Sequence, residues 1–122
     1  TAAREARFRG LTFTHTAIHD ADVARTRAVL EVVTRAVDLG IPVPLYTGGD
    51  VAQGLSTAIP RHVVLAVPTA QRKDGELRIY EPSSGRIHAV ALESLLARRR
   101  PLAALGQWKH LTWAVLPRAA FR

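Results

Sequence analysis

The sequence has 122 residues, of which 48% are hydrophobic and 22% charged. That is one domain with material for a packed core, and it excludes wholesale disorder and a two-domain chain. Seventeen basic residues against ten acidic ones leave a net charge of +7, and the absence of cysteine excludes a disulfide frame, a thiolate metal site and a thiol nucleophile within this chain.

Residues 1 to 19 carry no clear period, although Leu11 and Phe13 alternate with Thr12 and Thr14 as a short strand would. Asp20 or Asp22 is a helix cap, and Val23, Leu30, Val33 and Val37 then recur as one face of an amphipathic helix. Gly40 ends it. Ile41 to Tyr46 holds two prolines and suits an edge or irregular strand. Thr47 to Arg61 reads as a long polar, glycine-rich loop.

His62 to Val67 is almost continuously apolar and predicts a buried strand. Asp74-Gly75 marks a hairpin turn, from which Leu77 to Glu81 returns beside that strand. Pro82 to Gly85 is a second turn, and Arg86 to Leu92 alternates again. Leu92, Leu95 and Leu96 switch to helical spacing, Arg98 to Arg100 suit the negative end of that helix, and Pro101 forbids continuation. His110 to Pro117 closes the chain as a strand. The fold class expected is α+β: an N-terminal amphipathic helix, then a mostly antiparallel sheet with a short helix before its last strand. Residues 1–19 form a partly mobile segment in this reading and 20–122 the domain.

No apolar run approaches the ~20 residues of a membrane span, and the opening TAAREARFRG is no signal peptide, so a soluble, cytoplasmic protein is expected. The sequence contains no methionine, which suggests a processed protein, an excised domain or one half of a larger fold. The basic residues are scattered apart from Arg98 to Arg100, and only seven aromatics are present. Nucleic-acid binders concentrate both on one face, so a solvated basic surface is the preferred explanation.

His62 opens an aliphatic strand directly after the loop, and Glu81 ends the strand expected to pair with it. Both therefore fall at the end away from the hairpin turn. A carboxylate beside an imidazole fixes its tautomer and orientation, as the general base of an acyl-transfer enzyme requires. Other residues weigh less. His15 and His19 share a helix face only if that segment is helical, and no third metal ligand accompanies them. His88 and His110 read as exposed, Trp108 and Trp113 as packing residues, and Thr1 as part of a tail. No cofactor or metal is expected.

The ordered run GIPVPLY, PRHVVLAV, a polar hairpin, LRIYEPSSGRIHAVALESLL and WKHLTWAVLP resembles the C-terminal half of papain-like cysteine peptidases. It is most similar to the bacteriocin-processing peptidase domains of peptide-exporting ABC transporters and their free-standing relatives. The resemblance spans Val29 to Pro117. It implies that His62 is the catalytic base and that Glu81, followed by Pro82 and Gly85, stands where the family has an aspartate to orient that base. Gly40, Ile41, Pro42 and Val43 match the preceding strand. The family's cysteine and its accompanying glutamine have no counterpart here.

Three explanations follow. The front half bearing the cysteine was removed or lies on another chain; the scaffold survives as a pseudoenzyme; or a hydroxyl substitutes, with Thr16, Thr47, Ser56 and Thr57 as candidates. The third ranks last, because a hydroxyl needs a well-placed base. The expected function is a cysteine-peptidase-like domain that cleaves or binds peptide or amide bonds, with Thr47, Gly48, Gly49 and Arg61 as substrate-binding residues. The expected partner is a peptide or protein, together with a missing N-terminal half or another chain; a membrane is not expected. A non-catalytic peptide- or protein-binding module is the second reading, and a basic nucleic-acid-binding domain the third.

Overall fold

The computed structural model describes residues 7–8, 11–49 and 60–118. Its long helix, α1 (Val23–Asp38), begins where the Asp22 side chain accepts a 3.0 Å hydrogen bond from the Arg25 backbone N–H. Thr26, Val29, Leu30, Val33, Ala36 and Val37 form its buried stripe. Val23, expected on that stripe, is 47% exposed. The buried place in the first turn goes to Thr26, whose hydroxyl is satisfied by the Asp22 carbonyl at 2.9 Å. At the other end Gly40 takes φ = 84°. Its N–H reaches the Val37 carbonyl at 3.0 Å and that of Ile41 reaches Ala36 at 2.9 Å. These two bonds are the Schellman pattern, and they require the left-handed residue that glycine supplies.

The strands are β1 (Arg7–Phe8), β2 (Leu11–Ala17), β3 (Val43–Gly48), β4 (His62–Ala66), β5 (Glu76–Glu81), β6 (Arg86–Ala91) and β7 (His110–Pro117). They lie in the order β1-β2-β7-β3-β4-β5-β6, and every pairing is antiparallel. A short helix, α2 (Leu92–Ala97), follows β6, and a 3-10 turn (Ala103–Leu105) precedes β7. The fold is therefore α+β with a strand first, not a helix first. The N-terminal segment contributes β2, which pairs with β7 from Phe13↔Pro117 to Ala17↔Trp113. That partner lies about a hundred residues away, so no local pattern could announce it. Residues 1–6 and 9–10 lie outside the described residues.

The strand after α1 is likewise internal, lying between β7 and β4, instead of an edge. Pro44 is tolerated because the ladder with β7 takes up only from Leu45. The hairpins form as read, with Gly75 at φ = 78° and Gly85 at φ = 70°.

Alternation along the strands sends Val43, Leu45, Val64, Ala66, Leu77 and Ile79 to one face, where they are buried with the α1 stripe and with Leu95, Leu96 and Leu105. Each fully buried aliphatic side chain is worth about 1.5–3 kcal/mol. At the surface Arg72 reaches Asp38 at the end of α1 with two 2.8 Å hydrogen bonds. The Arg72 hydrogen bond, assisted by its charge, holds the Asp38 carboxyl below its usual range. No described helix is long and apolar enough to cross a membrane.

Candidate functional site

Glu81 is the last residue of β5, and β4 pairs with β5 as Leu65↔Tyr80 and Ala66↔Ile79. Continuing that register sets Glu81 opposite Val64, so His62 is its diagonal neighbour on the same, inward face. A glutamate has the length for that diagonal. His62 Nε2 lies 2.6 Å from Glu81 Oε2. The imidazole is 23% exposed and the carboxylate 3%.

The Pro82–Gly85 turn grips the carboxylate from the other side. Ser83 N–H donates to Oε2 at 2.9 Å and Ser84 N–H to Oε1 at 2.9 Å. The Ser83 hydroxyl reaches both oxygens at 2.7 Å. Gly85, left-handed, closes the turn with its N–H on the Glu81 carbonyl at 2.9 Å. These donors favour the ionised acid. The Ser83 hydroxyl contributes most, then the Ser83 N–H, His62 and Ser84, and together they overcome the opposing effect of burial and hold the Glu81 carboxyl down to about 2.

An ionised carboxylate only accepts hydrogen bonds, so Nε2 of His62 carries the proton when the ring is neutral. Nδ1 then keeps its lone pair, which is the state a general base needs. Among the described residues no hydroxyl is bonded to this imidazole.

Gly106 packs against the ring. A Cβ there would collide with Cδ2 of His62 and lie 2.7 Å from Nε2. Gly106 and Gln107 follow the 3-10 turn with φ of 72° and 70°, so two successive residues are left-handed. For Gln107 that conformation costs about 1–2 kcal/mol. Hydrogen bonds from Leu102 N–H to Trp108 O (3.1 Å) and from Gln107 N–H to Leu102 O (2.9 Å) hold the loop in place.

The residues expected to bind substrate take different places. Thr47 is fully buried and donates its hydroxyl to the Leu105 carbonyl at 2.9 Å, which ties the end of β3 to the turn that carries Gly106. Its side chain is a support and presents nothing to a ligand. Gly48 is buried opposite His110. Gly49 is half-buried under Trp108, whose Cε3 would stand 2.7 Å from a Cβ at that position. Arg61 is exposed, and its N–H bonds the Thr47 carbonyl at 2.8 Å. Of the hydroxyl candidates, Thr16 sits in β2 opposite Ala114, three strand positions from β4. Ser56 and Thr57 lie outside the described residues.

A second histidine–carboxylate pair occupies the same rim of the sheet. His110, expected at the surface, is buried at the start of β7, with Nδ1 3.1 Å from Oδ2 of buried Asp20. The Leu111 N–H donates to the same oxygen at 3.2 Å, and Arg98 Nη1 reaches Oδ1 at 3.4 Å. One arginine of the triple run thus serves a buried acid, while Arg99 and Arg100 are exposed. His88, also expected exposed, has a buried Nε2. His15 stands in a strand, so the helix-face spacing with His19 does not arise; its ring packs edge-on to Trp113 and tilted against Tyr46, with 6.1 Å between centroids in each pair. Among the described residues no three histidine or acidic side chains are grouped to hold a metal.

Sequence reasoning missed Ser83, Ser84, Gly106 and Asp20. A signal existed for the serines, since two donors follow an acid in a tight turn; none existed for the other two. No family model, curated protein or solved structure matches the chain.

Proposed function

We propose that this chain is a papain-like peptidase domain that handles peptide or amide bonds in the cytoplasm. In this reading Nδ1 of His62 is the general base and Glu81 holds the ring in the required tautomer. The nucleophile comes from outside these residues, on a front half or another chain, or the groove is retained for binding alone. The observation that carries the proposal is the 2.6 Å contact between His62 and a carboxylate held by three further donor groups. An incidental surface pair has no need of such support.

A hydroxyl nucleophile among the described residues is not favoured: Thr47 has its hydroxyl committed to Leu105, and none is bonded to His62. Of the basic residues, Arg27, Arg72 and Arg98 are engaged with Glu93, Asp38 and Asp20.

The test uses the natural gene product, expressed from its own start codon. Cleavage of a quenched peptide pool, abolished by His62→Ala and weakened by Glu81→Ala, supports the enzyme. Saturable peptide binding without cleavage supports the binding domain. A product that does neither overturns the proposal.

A further inference from the structure

Behind the His62–Glu81 pair lies a cleft of about 420 Å³. Ser83, Ser84, Arg86, His88, Gly106 and Gln107 line it, with Glu81 on the side shared with His62. Arg86 and His88 are two residues apart on β6, so both project on the inward face.

Three features of this cleft lack an explanation within the chain. The Arg86 guanidinium is exposed, and among the described residues no carboxylate pairs with it. The Nε2 atom of His88 is buried with no hydrogen-bond partner, an arrangement proteins generally avoid. Gln107 is held in a left-handed conformation at the mouth, and its side chain is exposed beside Gly106. Strain at a concave polar surface is a pointer to a bound group. The one acid in the lining, Glu81, is already occupied, since both of its oxygens accept from the serine turn and one from His62. What remains to a visitor is a set of donors around a fixed positive charge.

We infer that this cleft is a binding site for a carboxylate group, received by Arg86 with the Gln107 amide at its lip, the His88 ring turning to bring its buried Nε2 to the anion. The inference rests on the peptide-handling reading for the source of the carboxylate, which is either an acidic side chain or a chain terminus. Guanidinium is the group suited to carboxylate, because its planar donors meet both oxygens. The adjoining Gly106 touches the His62 ring, so a carboxylate held here sits next to the proposed base.

The test is a titration of the isotope-labelled protein followed by NMR with three probes. N-acetyl-glutamate α-amide carries a side-chain carboxylate, N-acetylglycine a terminal one, and N-acetyl-glutamine α-amide none. Saturable shifts at the Gly106 and Gln107 amides and the His88 ring, with either acid and not with the amide, support the inference, and the tighter acid identifies the source. Arg86→Gln, at an exposed position that does not disturb the fold, weakens binding about fivefold or more, and Arg86→Lys restores part of it. His88→Phe keeps the ring bulk and also weakens binding. Equal responses to all three probes, or none at about 10 mM where even a millimolar site would be filled, overturn it. Either negative result leaves the peptide-cleavage and peptide-binding assays of the gene product standing, so the two proposals fail separately.

Discussion

Gly106 lies so close to the imidazole of His62 that any side chain there would occupy the space of the ring. The glycine is left-handed as well, at φ = 72°. Gly106→Ala therefore meets two penalties, backbone strain and a steric clash, together about 2–4 kcal/mol. The ring is expected to leave Glu81. Urea unfolding reads the first effect, and the nitrogen shifts of His62 read the second, as loss of the fixed Nε2–H tautomer. An alanine variant with wild-type stability and an unchanged histidine signal would show that the close approach has no consequence.

Glu81 gives the domain a defined acid response. Its carboxyl is held down from 4.5 to about 2 by the Ser83 and Ser84 donors and His62. A depressed acid contributes stability that is fully present above its unfolded value and is lost as pH falls toward the folded one. The loss belongs between about pH 4.5 and about pH 2. Glu81→Gln removes the titrating group, so its urea midpoint is expected to be lower near neutrality and flatter across that window than that of the wild type. Parallel pH profiles for the two proteins would contradict the assignment.

Asp20 is the hub of a buried cluster in which His110, the Leu111 N–H and Arg98 all point at one carboxylate. Asp20→Ala leaves a buried donor, an imidazole and a guanidinium without their acceptor, which costs about 3 kcal/mol. The double replacement Asp20→Leu with His110→Phe exchanges the pair for apolar groups and is expected to recover part of that loss. Chemical unfolding of the wild type and the two variants checks this order. An Asp20→Ala protein as stable as the wild type would show that the cluster does not hold the β2–α1 corner to β7.

The contrast between the two histidine–acid pairs shows what the sequence makes legible. Asp74-Gly75 and the apolar run after His62 define a hairpin, and a hairpin places His62 and Glu81 at one end. Asp20 and His110 are 90 residues apart. Their meeting depends on β2 joining β7, a pairing with no local signature. The same cause hides Gly106, whose importance is the ring lying against it, and puts Pro44 in an internal strand. Helix caps, hairpin turns and Gly40 were legible because each acts on its own neighbours. His62 and Glu81 belong to that class, as do Ser83 and Ser84 beside the acid, while Gly106 and Thr47, which confine the pair from a distance, do not.

Thr47 tests whether support from a distance matters to the pair. Its hydroxyl donates 2.9 Å to the Leu105 carbonyl, and Leu105 immediately precedes the glycine that confines the His62 ring. Thr47→Val keeps the shape and the β-branch but leaves that buried carbonyl without this donor, at about 1–2 kcal/mol. A purely structural role would lower the urea midpoint and leave His62 unchanged. A positioning role predicts in addition that the turn loosens, that the His62 nitrogen signals broaden or shift toward mixed tautomers, and that Thr47→Ser, which restores the hydroxyl, restores the signals. Rescue of stability without rescue of the tautomer would confine Thr47 to packing.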